Sequence, residues 1–243
     1  MKQFSTALLL AVLGWAAPAW GQGGTPVGWL RASLDAPLRG KWSLHTEVET
    51  RQSNTHLHGQ QLGRLGLRVR IAPCLSFAAG YVFAANEGPM NNGPALPEHR
   101  LYQEIALADV TGPLRVSHRI RTEERWLRTS QEAPYRFAPR LRYQLRLVAP
   151  LGTGGRLPVG GLYAVFANEV FAGLGPREGR NFLEENRMSA GLGYRLSRRT
   201  TLEVAYLRQN QADELRVGQA YVRNALQVSL AVAAPSRPAL VRI

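Results

Sequence analysis

The chain has 243 residues, a single cysteine, and a formal net charge of +13 from 30 Lys and Arg against 17 Asp and Glu. One cysteine excludes an intramolecular disulfide and a cysteine-based metal site, and the five histidines fall at no metal-ligand spacing. A basic protein would ordinarily suggest nucleic acid, but the arginines are spread along the chain, and an export leader precedes them. We therefore expect no nucleic-acid partner, metal or cofactor.

Residues 1–21 have the features of a secretory signal peptide. Met1-Lys2 gives a positive start, and the apolar run from Ala7 to Ala17 is too short to span a bilayer as a helix. We predict that this leader is cleaved and that 22–243 forms a single domain. Beyond residue 22 there is no run of 18 apolar residues, so no transmembrane helix is expected.

Ten or eleven segments of strand length follow one another along the rest of the chain. Most of them alternate apolar and polar residues with a period of two, which is typical of a strand with two different faces. In chain order they are 27–35, 42–51, 60–72, 75–84, 100–109, 114–127, 139–148, 162–172, 182–196, 200–210 and 221–232.

The breaks between these segments alternate in length. Short turns at 73–74, 110–113 and 197–199 alternate with longer polar loops, and only the Gly-rich stretch 149–161 departs from the pattern. The longer loops are 52–59, 85–99, 128–138, 173–181 and 211–220. Short turns at one end and long loops at the other are typical of outer-membrane β-barrels, so the sequence predicts an all-β, transmembrane antiparallel barrel.

The segment LRVSHRIRTEERWL, residues 114–127, shows why a strand is preferred to a solvated helix. In a helix only Val116, Ile120 and Leu127 would share an apolar face, which is a thin stripe. In a strand all four arginines fall on one face and Leu114, Val116 and Ile120 on the other. The two faces stay distinct up to Thr122, and Glu124 breaks the separation.

The cost of charge in lipid decides which face of a membrane barrel points inward. One Arg facing lipid at mid-bilayer costs about 2–4 kcal/mol, so the Arg rows must face the lumen. The surplus of Arg over Glu predicts a positive lumen that favours anions. The predicted lumen-lining residues are Glu47, Glu49, Arg64, Arg68, Arg70, Glu104, Arg115, Arg119, Arg121, Glu123, Arg125, Arg140, Arg142, Arg146, Glu169, Arg187 and Glu203.

The number of strands is predicted to be 10–12. Single-chain bacterial barrels usually have even numbers, and residues 42–232 supply ten strands. Segment 27–35 would then lie in the lumen or pair outside this ten-strand pattern. Alternatively, one of the segments would be broken into two strands, which would give a barrel of twelve.

Several short stretches resemble a known family when they are taken in order. They are EHRLYQEIAL, HRIRTEERWL, RLRYQLRLVAPL, NEVF, ENRMSAGLGYRLS and LEVAYL. In this order they resemble the domain of unknown function 2490 family, whose members are predicted outer-membrane barrels of Gram-negative bacteria. The resemblance implies a fold and a location in the bacterial outer membrane. It carries no known activity, so it transfers no functional residue.

These observations favour a non-enzymatic outer-membrane barrel, either a small, porin-like, anion-preferring pore or a plugged structural barrel. Its expected partners are outer-membrane lipid and small anions, and its oligomeric state stays open. The alternative is an enzyme that modifies lipid or lipopolysaccharide, which needs an outward-facing nucleophile and base. His118 is on the face predicted to contact lipid, but Ser117 is on the opposite face. The two side chains cannot pair within this strand, so we predict no catalytic residue. A third reading is a soluble periplasmic barrel that binds an acidic ligand, with the two faces reversed.

Overall fold

In a computed structural model of the protein, the described residues are 27–52, 59–87, 94–152, 157–175, 182–212 and 220–235. The predicted leader, residues 1–21, lies outside them. No helix in this part of the chain is long and apolar enough to cross a membrane. The strands are β1 (Val27–Pro37), β2 (Trp42–Arg51), β3 (Gln60–Arg70), β4 (Leu75–Asn86), β5 (Leu96–Thr111), β6 (Leu114–Leu127), β7 (Arg136–Phe137), β8 (Arg140–Pro150), β9 (Leu162–Gly173), β10 (Leu183–Arg195), β11 (Thr200–Ala212) and β12 (Ala220–Ala233). The all-β prediction is confirmed, and each predicted segment corresponds to one of these strands.

The strands form one sheet that closes on itself. Neighbours in sequence pair antiparallel from β1 to β6 and from β8 to β12, while β6 pairs with both β7 and β8. The two-residue β7 continues β8, because the pairs Glu123↔Arg140 and Trp126↔Phe137 belong to the same register along β6. The wall of the barrel therefore contains eleven strands.

A parallel pairing of β1 with β12 completes the barrel, in register from Val27↔Ala225 to Asp35↔Ala233. An up-and-down chain with an odd number of strands must bring its first and last strands together in the same direction. Segment 27–35 is accordingly a full wall strand. It does not lie in the lumen, and the barrel does not close with ten strands. No twelfth wall strand is present among the described residues.

The two ends of the barrel differ in the length of their connections. At the short-turn end, β5 and β6 are joined by Gly112-Pro113 alone, and Gly112 has a φ of 60°, as a two-residue hairpin turn requires. At the long-loop end, β4 and β5 are separated by residues 87–95. The predicted alternation holds, and the connection 151–161 is the one long segment at the short-turn end.

Charged residues face the inside of the barrel and apolar residues face the outside. On β3, Leu65 is 52% exposed while the adjacent Arg64 is 9% exposed. On β6, Ile120 is 50% exposed while Arg121 is 3% exposed. This is the reverse of a water-soluble barrel, whose apolar residues would fill the interior.

Two inward-facing tyrosines lie against glycines of other strands, Tyr102 across β4 against Gly66 on β3 and Tyr163 against Gly193 on β10. A Cβ atom at Gly66 would approach the hydroxyl oxygen of Tyr102 to 2.0 Å, and one at Gly193 would approach Cζ of Tyr163 to 2.0 Å. Only glycine leaves room for these rings. The rings in turn cover backbone that would otherwise lack a side chain to pack against.

Candidate functional site

Buried carboxylates in the long-loop half of the barrel interior each gather several guanidinium groups. Glu98 on β5 is 2% exposed and accepts hydrogen bonds from Nε and Nη2 of Arg100, each at 2.9 Å. It also accepts one from Nε of Arg125 on β6 at 2.5 Å. The neighbouring strands β5 and β6 lie about 5 Å apart, which brings these side chains within reach of each other.

Glu123 is the most enclosed carboxylate in the network. It is 1% exposed and accepts hydrogen bonds from Arg140 Nη2 at 2.6 Å and Arg142 Nη1 at 2.5 Å, both on β8. Arg142 also donates through Nη2 to Glu169 on β9 at 2.7 Å. One guanidinium thus bridges two buried carboxylates, which satisfies both of them in a site without water access.

The network continues around the wall across non-adjacent strands. Arg119 on β6 donates to Glu169 on β9 at 2.6 Å, which spans the intervening β8. Arg121 donates to Glu104 on β5. Because long arginine side chains extend toward the barrel axis, they reach partners that backbone pairing does not bring together.

On the opposite wall, the ion pairs involve the first three strands. Arg31 on β1 lies 2.8 Å from Glu49 on β2, and Arg51 lies 2.5 Å from the same carboxylate. Arg64 on β3 donates to Glu47 at 2.7 Å. Nearer the short-turn end, Asp35 accepts a hydrogen bond from Arg68 and contacts His45, each at 3.0 Å.

Aromatic rings fill the space between these guanidinium groups. Cζ of Arg187 on β10 lies 5.0 Å from the ring centroid of Trp29 on β1 and 4.4 Å from that of Phe171 on β9. Cζ of Arg51 lies 4.0 Å from the ring centroid of Trp29. Cζ of Arg121 lies 4.6 Å from the ring centroid of Tyr102. Cation–π contacts of this kind let an aromatic ring occupy a charged interior.

We call the largest of the fully enclosed side chains in this region the plug. They come from strands around the wall and are each at most 2% exposed, and they are Trp29, Val82, Glu98, Tyr102, Glu123 and Phe171. All of them lie toward the long-loop end of their strands. The interior at that level is therefore filled with protein.

Smaller residues line the interior toward the short-turn end. A cavity of about 60 Å³ lies against Arg31, Gln144, Ser189, Gln227 and Ser229, among others. That volume is enough for a few water molecules in a polar site.

One further ion pair borders this cavity. Arg146 donates to Glu203, which also accepts a hydrogen bond from the hydroxyl of Tyr163 at 2.8 Å. The interior thus changes from a packed charge network to a roomier polar space along the barrel axis.

The strand registers show that all the residues predicted to line the lumen are at inward-facing positions of their strands. All but Arg70 and Arg115 are buried or half-buried, and these two are exposed at the short-turn end. Inward residues that sequence reasoning did not assign to the lumen include Trp29, Arg31, Asp35, Glu98, Arg100, Tyr102, Phe171 and Arg223. Glu98 was assigned to a loop because β5 begins earlier than its alternation indicates, at Leu96.

The outward-facing His118 forms a pair with a tyrosine. Its Nδ1 lies 2.8 Å from the hydroxyl oxygen of Tyr143 on β8, and the two rings stack with centroids 6.1 Å apart. The hydroxyl of Ser117 donates to the carbonyl oxygen of Arg146 instead, on the other face of β6. The described residues contain no group of three or more His, Cys, Asp or Glu that could hold a metal ion.

The chain belongs to the family described as protein of unknown function (DUF2490), whose sequence model matches residues 27–218. This match confirms the resemblance seen in the sequence, and it includes β1 and all six residues of the plug. No curated protein matches the chain.

Proposed function

We propose that the protein is an integral outer-membrane β-barrel of Gram-negative bacteria with a non-enzymatic role and a lumen closed by buried ion pairs. The observation that carries this proposal is the reversal of the two faces, with apolar side chains exposed around the outside and Arg and Glu buried inside.

The exposed apolar residues occur on strands all around the barrel. Val48 on β2 is 62% exposed, Ile105 on β5 52% and Leu192 on β10 53%. A soluble monomer rarely exposes so continuous an apolar surface, since its largest patch is a few hundred Å². The acyl chains of a lipid bilayer would solvate such an apolar surface.

An apolar groove on the exterior adds to this support. It has a volume of about 560 Å³ and is lined by Leu34, Val48, Leu65, Tyr81 and Leu230, among others. Its lining residues lie on β1 to β4 and β12. A groove of this composition suits the packing of an acyl chain, so outer-membrane lipid is the partner we propose for the exterior.

Aromatic residues at the long-loop end support the same placement. On the outer surface, His99 accepts or donates hydrogen bonds with Tyr81 at 2.5 Å and Tyr135 at 3.1 Å, and Trp126 packs against Phe137. Amphipathic rings of this kind favour the boundary between lipid tails and headgroups. Because outer-membrane barrels place short turns in the periplasm, the long-loop end would face outward from the cell.

A closed lumen is preferred to an open pore because of the plug. Passage of an ion at the level of Glu123 would require breaking its bonds to Arg140 and Arg142. Removing one partner from a buried ion pair costs about 3–5 kcal/mol, so an open state would be rare. We therefore expect no steady conductance from the intact protein.

A non-enzymatic role is part of the proposal. The imidazole of the outward-facing His118 is hydrogen-bonded to the hydroxyl of Tyr143, and Ser117 lies on the opposite face of β6. An outer-membrane hydrolase needs a nucleophile and a base in hydrogen-bonding reach on the lipid side. Release of fatty acid from outer-membrane lipid by the purified protein, abolished in the His118→Ala variant, would refute this part.

The location and the closed lumen are tested with two measurements on the full-length protein. The protein should remain in the outer-membrane pellet after carbonate washing, and the unboiled barrel should migrate differently from the boiled chain on a detergent gel. Reconstituted in planar bilayers, it should show no discrete conductance steps. Release from the pellet without detergent would refute the membrane location, and stable anion-selective steps would replace the closed lumen with a pore.

A further inference from the structure

Several small residues face the interior toward the short-turn end, between larger ones such as Arg68, Arg146 and Tyr163. The small residues include Ser33, Ser76, Ala106, Ala108, Ser117, Ser229 and Ala231, all on the inward parity of their strands. Ala108 and Ala231 are exposed although they face inward, and the others are half-buried. Water therefore enters the barrel from this end. We call this space the vestibule, and its inner limit is the plug.

Three arginines stand around the opening of the vestibule. Arg70 is the last residue of β3, Arg115 is the second residue of β6, and Arg195 is the last residue of β10. All three belong to the inward parity. Because β3, β6 and β10 are separated by other strands on both sides, these rim arginines are distributed around the opening.

Among the described residues, no carboxylate forms an ion pair with a rim arginine. Arg70 and Arg115 are exposed, and neither forms an ion pair with a carboxylate of the described ranges. Arg195 donates to the carbonyl oxygens of Leu157 at 2.6 Å and Ser197 at 3.3 Å, which fix its position and leave its charge uncompensated.

The inward-facing acidic residues nearest this end are already engaged, and Asp109 on β5 belongs to the outward parity. Asp35 is bound by Arg68 and His45, and Glu203 is bound by Arg146 and Tyr163. They cannot also neutralise the rim. A recess with low-dielectric walls and one sign of surplus charge concentrates ions of the opposite sign.

From this arrangement we propose that the short-turn half of the lumen is a blind vestibule that binds small soluble anions bearing phosphate or carboxylate groups. The rim arginines attract the anion, and the serine-lined wall supplies hydroxyl donors to it. Guanidinium groups suit such ligands because they donate two parallel hydrogen bonds to carboxylate or phosphate oxygens. The plug prevents the anion from crossing the barrel. This inference rests on the proposed function, which sets the barrel in a membrane and leaves only its interior open to solutes.

Thiol modification tests the vestibule. In a Cys74→Ser background, Ala231→Cys places a thiol inside the vestibule, and Leu230→Cys places one on the apolar exterior as the matched control. Each folded variant is treated in detergent micelles with a negatively charged methanethiosulfonate and, separately, with a positively charged one. The rates are measured with and without inorganic pyrophosphate, with sodium chloride at matched ionic strength.

At the Ala231→Cys thiol the negative reagent should react at least about tenfold faster than the positive one, because local potentials concentrate counter-ions by that order. Pyrophosphate should slow the reaction, whereas sodium chloride should not. Replacing Arg70, Arg115 and Arg195 with Gln should bring the ratio of the two rates toward one and remove the protection. At the Leu230→Cys thiol neither reagent should be favoured by charge.

Two results would overturn the proposal. Equal rates of the two reagents at the Ala231→Cys thiol would mean that the vestibule does not select anions. Protection by pyrophosphate that survives the triple Arg→Gln variant would mean that the rim arginines do not bind it. Heat-modifiable migration is recorded for every variant, so a failed anion test in a folded membrane barrel leaves the proposed function standing, while loss from the membrane pellet refutes the proposed function itself.

Discussion

A charge placed on the outer surface at mid-strand distinguishes a membrane barrel from a soluble one. Ile120 is the seventh residue of the 14-residue β6, is 50% exposed, and lies between Ile105 of β5 and Tyr143 of β8 on the outer face. In water, Ile120→Arg would replace an exposed apolar side chain with a soluble one. Such surface changes usually stay within about 0.5 kcal/mol of neutral.

In a bilayer the same substitution puts a guanidinium near the membrane midplane. The expected loss in the free energy of unfolding is about 2–4 kcal/mol, as measured for Arg at the midplane of other barrels. Leu162→Arg is the matched control. Leu162 is also 50% exposed and outward-facing, but it is the first residue of β9 at the short-turn end. There the cost should be about 0–1 kcal/mol, because the side chain reaches the headgroups.

Both variants and the unmodified protein are unfolded with guanidinium chloride from phospholipid vesicles. Tryptophan fluorescence follows the transition, since Trp29 is enclosed in the folded barrel. Equal effects of Ile120→Arg and Leu162→Arg would refute the reasoning, because two residues of equal exposure would then be responding to water and not to depth in a membrane.

Two further substitutions test the interior by the same unfolding titration. Glu123→Gln leaves Arg140 and Arg142 without their shared carboxylate and should cost about 3–5 kcal/mol, whereas the outward Glu124→Gln should change the free energy of unfolding by less than about 0.5 kcal/mol. A small effect of Glu123→Gln would show that water reaches the plug. Gly193→Ala should cost about 1–3 kcal/mol through the clash with Tyr163, while Gly63→Ala, whose Cβ would have nothing within 4 Å, should be neutral or slightly stabilising. Equal costs for the two glycines would show that the Tyr163 ring does not need Gly193.

The strands and their faces could be predicted because charge and apolarity alternate sharply along most of them. On β6 and β8 each inward Arg is followed by an outward residue that is mostly apolar, so parity alone separates the two faces. On β9 this signal is weak, because both faces are largely apolar. The structure turns Val165 and Phe171 inward and Phe166 outward. Phe171 can face inward because the guanidinium groups of Arg140, Arg142 and Arg187 pack against its ring.

The partners within the interior could not be predicted from the sequence. Arg119 bonds to Glu169, fifty residues away and across an intervening strand, and this depends on the tilt and register of the closed barrel. The parallel seam between β1 and β12 has no local sequence signal either, because it follows from the total number of strands. Glu98 and Arg100 were not among the predicted site residues, although the hydrogen bonds that Arg100 donates to Glu98 are among the most enclosed in the interior.

The interior charges also determine how the chain pairs with itself. A shift of one residue in the register of a strand turns every side chain to the opposite face. If the barrel lies in a membrane as proposed, such a shift on β6 would turn Arg119 and Arg121 toward lipid, at about 2–4 kcal/mol each near the midplane. Even if the buried ion pairs contribute little net stability compared with apolar residues of the same size, the alternating charge penalises the wrong register far more than it affects the native one. An interior of Leu and Val would lack this discrimination, since both faces of each strand would then be equally acceptable to lipid.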